Sequence, residues 1–269
     1  MKMRNLVREK IAKNGYALGA FVASGSPTNC EILALNGLDF VMIDCEHAET
    51  NPETIVHMCR ASEQYGMAPL VRVYDPDDGP MMSRMLDVGV NGVMAPLVNT
   101  AAQAQNVVNF TKYAPIGKRG ANGGRGPRWG LYEDYINASN ECCLSIVQCE
   151  SLEGLSNIEE IAATPGLDVI FVGTGDLSLE MGVAFKADSA ANHTTQDARI
   201  VEAVNTILDA CKRHGVIPGI VTASAEDAAR RINQGFQFVT CMNDLGFFRS
   251  RTAQHILSLI HISEPTRPY

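Results

Sequence analysis

Short apolar runs rich in β-branched residues recur along the chain at YALGAFV (16–22), FVMID (40–44), APLVRV (68–73), GVMAPL (92–97), LSIVQCE (144–150), DVIFVG (168–173), VIPGIV (216–221) and FQFVTCM (236–242), with helix-like stretches between them. That alternation restricts the chain more than any other feature. Strands separated by amphipathic helices lie parallel, because each helix carries the chain back across the sheet in a right-handed crossover. Eight such units can close a sheet on itself. The sequence therefore predicts an α/β fold, a TIM (β/α)8 barrel, with residues 1–256 as its single domain.

The helical stretches carry their own starts and stops. NPETIVHMCRASEQYG opens on Asn51 with Pro52 at the first helical position, spaces Ile55, Met58, Cys59 and Ser62 along one side, and closes at Gly66. DARIVEAVNTILDACKRHG sets Ile200, Val204, Ile207, Leu208 and Cys211 at helical spacing, gathers Lys212, Arg213 and His214 in its last turn, and stops at Gly215.

With 269 residues, 46% of them hydrophobic, the chain can bury one large core. Its formal charge of −8 opposes a nucleic acid or an anionic membrane as partner, and neither is expected. No apolar run is long enough to span a bilayer, and the opening MKMRNLVREKIAKNG lacks the apolar core of a signal peptide, so a cytoplasmic location is expected. Eight cysteines lie scattered without a C-x-x-C pair, which reads as reduced core thiols. From Leu257 onward the helical pattern begun at Leu245 breaks, and LSLIHISEPTR reads like the translation of a transposon-end library adapter. Residues 257–269 are therefore expected to be a non-native tail.

At the C-terminal ends of the expected strands stand polar residues that composition would not place there: Asp44, Glu46 and His47, then Arg72, Glu150 and Asp176. All would face one mouth. Glu150 and Asp176 each follow an apolar strand, where two converging carboxylates repel each other unless a cation meets them. A hard divalent ion would answer that, whereas a helix N-cap or a solvated loop acid is the plainer reading of either one. Arg72 could likewise be no more than an ion-pair partner of Asp44 or Glu46. Asp87, ahead of the fourth strand, joins the same layer only if its helix end folds inward. Two stretches exceed what the scaffold needs, the Gly- and Arg-rich 115–130 and the run 179–196, and both are expected on the C-terminal side of the barrel. Lys118, Arg119, Arg125 and Arg128 make the first a candidate for recognising an anionic aldehyde, beside the readings of solvated loop or subunit contact.

In order along the chain, DFVMIDCEHAET, APLVRV, MLDVGVNGVMAPLVNT, KYAPIGKRG, VQCES, GLSNIEEIAATPGLDVIFVGTGDLSLEMG and the closing Asn-Asp after the eighth strand resemble the blocks of the HpcH/HpaI family of metal-dependent pyruvate aldolases. The resemblance runs from about Gly19 to Asp244. It implies a TIM barrel and a class II aldolase that reversibly cleaves a 4-hydroxy-2-oxo acid to pyruvate and an aldehyde, with Mg²⁺, Mn²⁺ or Co²⁺ as cofactor. By the same resemblance Glu150 and Asp176 are the metal ligands, His47 the catalytic base with Asp87 as its partner, and Arg72 the residue on the keto oxygen. Gln148, Thr174 and Gly175 line the substrate site, and the assembly is a homo-oligomer, a hexamer. The chain departs from the family pattern at Thr174, where a proline is usual, and at Cys149, where an aliphatic residue is common. Two other activities compete: an acyl-CoA lyase of the citryl- or malyl-CoA type on the same barrel, and a non-catalytic barrel that binds phosphate or another anion.

Overall fold

Eight parallel strands close on one another in sequence order: β1 (Ala17–Val22), β2 (Phe40–Asp44), β3 (Ala68–Arg72), β4 (Gly92–Ala95), β5 (Leu144–Cys149), β6 (Val169–Val172), β7 (Ile217–Val221) and β8 (Phe238–Asn243). The computed structural model describes residues 1–183 and 197–263, so most of the 179–196 stretch lies outside the described residues. Helices α1 (Leu6–Asn14), α2 (Pro27–Leu35), α3 (Pro52–Glu63), α4 (Gly79–Val88), α5 (Ala101–Thr111), α6 (Tyr135–Cys142), α7 (Leu152–Ser156), α8 (Ile158–Ala162) and α9 (Thr174–Glu180) accompany the first six strands. Then α10 (Ala198–His214), α11 (Ala225–Gln234) and α12 (Asp244–Ser263) complete the chain. The TIM barrel expected from eight apolar runs is the observed fold.

Period-two alternation divides each strand between two cores. Outward residues such as Val41, Ile43, Val71 and Val147 pack under the helices with Met58, Leu86, Val107 and Ile207. Inward residues fill the barrel, among them Phe40, Met42, Leu70, Met94, Ile146, Phe171 and Phe238. Phe40 stacks on Phe238 with centroids 4.0 Å apart, Phe171 meets Phe238 edge-on at 6.1 Å, and Phe21 meets Phe171 edge-on at 6.0 Å. Each fully buried ring of this kind contributes about 1.5–3 kcal/mol. Gly19 makes the column possible, since a Cβ there would collide with the Phe40 ring.

The seam between first and last strands is irregular. β1 and β8 shift register between Gly19 and Ala20, and just above this point Asp244 clasps the exit of β1. Its carboxylate accepts the Ala23 N–H at 3.0 Å, Asn29 Nδ2 at 2.9 Å and the Ser24 hydroxyl at 2.5 Å. These bonds hold Asp244 below the usual carboxylate range although its burial acts the other way.

Helix ends follow the sequence signals. The Asn51 side chain accepts from Thr54 N–H, and α10 closes on Gly215 in the left-handed region (φ 69°). Two expectations fail here. The helix does not break at Leu257: α12 runs through Ser263, because the segment holds no glycine or proline to stop it before Pro265. The 115–130 loop is not on the C-terminal side. It leaves the C-terminus of α5 and feeds α6 and β5, and its contacts go to Asp87 and Glu63, at the ends of α4 and α3. In a β/α barrel those helix ends lie at the N-terminal rim. No helix among the described residues is long and apolar enough to cross a membrane.

Candidate active site

Towards the C-terminal ends of the strands the inward positions turn polar. Asp44, two residues beyond Met42, is paired in register with Arg72, two beyond Leu70, so both side chains enter the mouth. Arg72 Nε and Nη2 donate to the two oxygens of Asp44 at 3.0 and 2.8 Å, and Nη1 lies 2.9 Å from Glu46 Oε2. Beneath it the guanidinium rests on Phe21, 4.8 Å from the ring centroid. Burial works against the charge on Arg72, and the Asp44 and Glu46 carboxylates outweigh it, raising its pKa. Of the two readings of this arginine, the ion pair is real, yet it takes up only part of the fork: each terminal nitrogen keeps an N–H for another acceptor.

The turn after β2 is tied to the same carboxylate, since Asp44 Oδ1 accepts the N–H groups of Glu46 at 3.1 Å and His47 at 3.4 Å. The His47 side chain is 65% exposed, with Nε2 3.7 Å from Glu46 Oε2. Burial, against the opposing pull of Arg72, raises the Glu46 carboxyl above its ordinary range.

Glu150, just past β5, is 3% exposed. Its Oε1 accepts the Leu97 N–H at 2.8 Å, and its Oε2 accepts Gln148 Nε2. Burial, with repulsion from Asp176 and Glu46, pushes its carboxyl up to about 7 against the pull of the Leu97 N–H and Arg72. Gly173 lies against it. A Cβ at 173 would stand 2.7 Å from Glu150 Cβ and 2.8 Å from Gln148 Nε2, so the glycine that ends β6 is what admits the glutamate. Asp176 is exposed in the first turn of α9, with Thr174 buried ahead of it. Cys149, one of the departures, faces the outer core, where burial pushes its thiol up to about 12 and it packs as an apolar side chain.

The residues present fit a divalent cation. Glu150 is a buried carboxylate burdened by like charge, the condition a cation relieves. Gln148 Oε1 is buried without a partner beside it, a free acceptor for a bound water or substrate group. No set of three His, Cys, Asp or Glu side chains stands at ligand spacing among the described residues. A two-carboxylate site completed by water and substrate is the habit of Mg²⁺ rather than of a closed structural metal.

Asp87 is not brought to this mouth. Its Oδ1 accepts Arg119 Nη2 at 2.8 Å and Asn122 Nδ2 at 2.5 Å, and it stands in the last turn of α4, leading into the start of β4. The expectation that it pairs with His47 fails within one chain: a helix that returns to begin a strand ends at the rim opposite to where strands finish. Arg119 is wholly buried on Asp87, while Arg125 and Arg128 are both taken up by Glu63 at 2.6 Å. Three of the loop's four basic residues are thus neutralised, away from the mouth.

The sequence gives no role to Phe21 or Leu97, whereas Asp44 and Glu46, named there as possible ion-pair partners of Arg72, are both paired with it. Alternation from Phe40 and Met42 to Asp44 was the available signal for the Arg72 partner. For Leu97 it was the preceding proline.

The sequence profile described as HpcH/HpaI aldolase/citrate lyase matches residues 17–250. A 5-keto-4-deoxy-D-glucarate aldolase of Klebsiella pneumoniae is 35% identical over 250 residues, covering 92% of this chain and 94% of its own. A hydroxypyruvate/pyruvate aldolase of Chromohalobacter salexigens is 38% identical over 229 residues, covering 84% and 86%. The crystal structure of an HpcH/HpaI aldolase from Desulfitobacterium hafniense superposes with a TM-score of 0.86 at 25% identity, covering 96% of each chain. With its closed barrel and the polar residues gathered at the strand ends, this chain belongs to the HpcH/HpaI aldolase/citrate lyase family.

Proposed function

We propose that this enzyme is a class II aldolase that reversibly cleaves a 4-hydroxy-2-oxo acid to pyruvate and an aldehyde. The observation that carries this reading is the buried Glu150, burdened by the Asp176 charge, beside an arginine already oriented by two carboxylates. Glu150 and Asp176 would hold Mg²⁺, Mn²⁺ or Co²⁺, which supplies the positive charge that lets pyruvate take on enolate character near neutral pH. The protein does the rest. Arg72 offers its remaining N–H groups to the keto oxygen, and because Asp44 and Glu46 already fix its plane, little reorganisation accompanies the reaction. Gln148 Oε1, buried without a partner, offers an acceptor in the same mouth to a water or to a substrate hydroxyl. Gly175, in the first turn of α9, belongs to the stretch where helix N–H groups lack intrahelical partners and can meet the pyruvate carboxylate, with Thr174 beside it. His47, open to solvent, takes the proton of the aldol hydroxyl at a ring nitrogen and returns it in the reverse direction.

A panel of aldehydes offered with pyruvate should give aldol products in the presence of Mg²⁺, Mn²⁺ or Co²⁺. Chelation should end the reaction, and borohydride should trap no lysine adduct. Turnover that survives chelation, or a stable adduct, would favour a Schiff-base lysine. Arg119, Arg125 and Arg128 are already paired with Asp87 and Glu63, which favours this reading over an acyl-CoA lyase, since that enzyme needs free cations for a nucleotide tail.

Asp87 can serve His47 only from a second copy, which fits a homo-oligomer, the hexamer implied by the resemblance. His47→Ala and Asp87→Ala should each be poorly active alone. Subunits of the two, mixed and reassociated, should recover up to about one quarter of the native rate, the share of sites with both groups intact under random mixing. Mixtures no more active than the separate variants would remove Asp87 from the mechanism.

A further inference from the structure

The turn between β4 and α5 holds a leucine in a backbone conformation that leucines avoid. Leu97 has φ +49°, in the left-handed region where an L side chain crowds the backbone. β4 and β5 pair as far as Ala95 with Val147, and pairing resumes where the Val98 N–H donates to Gln148 O at 3.2 Å. Between these points Pro96 has no N–H to give. The Leu97 N–H is turned out of the ladder altogether and donates to Glu150 Oε1. A proline followed by a positive φ is the pattern of a type II turn, whose second central position ordinarily takes glycine or asparagine. Here the leucine side chain remains 47% exposed, so burial does little to offset the strain.

We propose that Leu97 is a positioning residue, whose N–H, aimed by the left-handed turn, fixes the Glu150 carboxylate in the orientation that receives the divalent cation. Partners that hydrogen-bond a ligating carboxylate from behind restrict its rotation and so govern metal affinity. The exposed position of Leu97 and its strained backbone are then two sides of one device. Strain of this sort persists where the surrounding structure over-determines it, and the pairing of Ala95 below and Val98 above does that here. The proposal rests on Glu150 being a metal ligand, as in the functional reading above.

Mn²⁺ alone, titrated into full-length protein and followed by electron paramagnetic resonance, provides the test. Glycine and asparagine occupy the left-handed region readily, whereas a β-branched residue is a severe outlier there. Leu97→Gly and Leu97→Asn should bind Mn²⁺ within about threefold of the native protein, and Leu97→Val should bind about tenfold or more weakly. Equal affinity in the folded valine variant, or an equal loss in the glycine variant, overturns the proposal. A second measurement covers a valine variant that fails to fold. In native protein labelled with ¹⁵N-leucine, the Leu97 amide, assigned by its loss in Leu97→Gly, should shift on Mg²⁺ addition and again in Glu150→Gln. A resonance that stays in place in both cases overturns the assignment. Native protein that binds no Mn²⁺ refutes the functional reading itself, a result distinct from either.

Discussion

Glu150→Gln should bring metal-dependent exchange of the pyruvate methyl protons down by about 10³-fold or more, the scale of several kcal/mol of charge stabilisation lost from a reacting oxygen. Proton exchange followed by NMR in deuterated buffer isolates this step from the identity of the aldehyde. The fold should survive the change. The new amide presents one oxygen and one NH₂ group to two donors, the Leu97 N–H and Gln148 Nε2. Gln148 can rotate to answer it, because its own Oε1 is buried without a partner. In metal-free protein the substitution should raise the melting temperature, since it removes a buried carboxylate that repels Asp176 and Glu46. Exchange at the native rate would mean that Glu150 is not a ligand. A large fall in melting temperature would mean that its charge stabilises the fold.

Arg72→Lys carries the second large effect. Lysine keeps the charge but cannot hold Asp44 through two parallel bonds, stay paired with Glu46, and still present donors in a fixed plane. A fall in kcat/KM of about 10²–10³-fold is expected, the range seen when one preorganised donor to a developing oxyanion is lost. Stability should drop by about 1–3 kcal/mol as Asp44 loses part of its pairing, measurable by denaturant titration. Arg72→Ala should be worse on both counts, because it leaves Asp44, which is 3% exposed, without its cation. A lysine variant with native kcat/KM would reduce Arg72 to a structural ion pair.

Most of the barrel was legible because strand and helix periods differ and the chain keeps them apart. FVMID and APLVRV are continuous apolar runs between helical patterns, and β2 and β3 occupy nearly those spans. The carboxylates were legible for a related reason: Asp44 and Glu150 interrupt or follow apolar runs, where a charge needs company. Three features lay beyond local reading. Asp87 sits in a block that resembles a catalytic one, but which rim a helix end occupies depends on the closed topology. The basic loop looked like an anion site because its partners, Asp87 and Glu63, are distant in sequence. The turn at Leu97 hid because leucine at a positive φ is what propensity argues against.

The clasp at Asp244 joins groups 221 residues apart, across the boundary where the last strand meets the first. Long-range closure of this kind makes a high contact order and a late folding event. During synthesis the opening strand must wait, with one hydrogen-bonding edge uncovered, until β8 at residues 238–243 has emerged from the ribosome. A chain cut short before residue 238 would keep two such edges, on β1 and β7, and should be a template for aggregation rather than a smaller working enzyme.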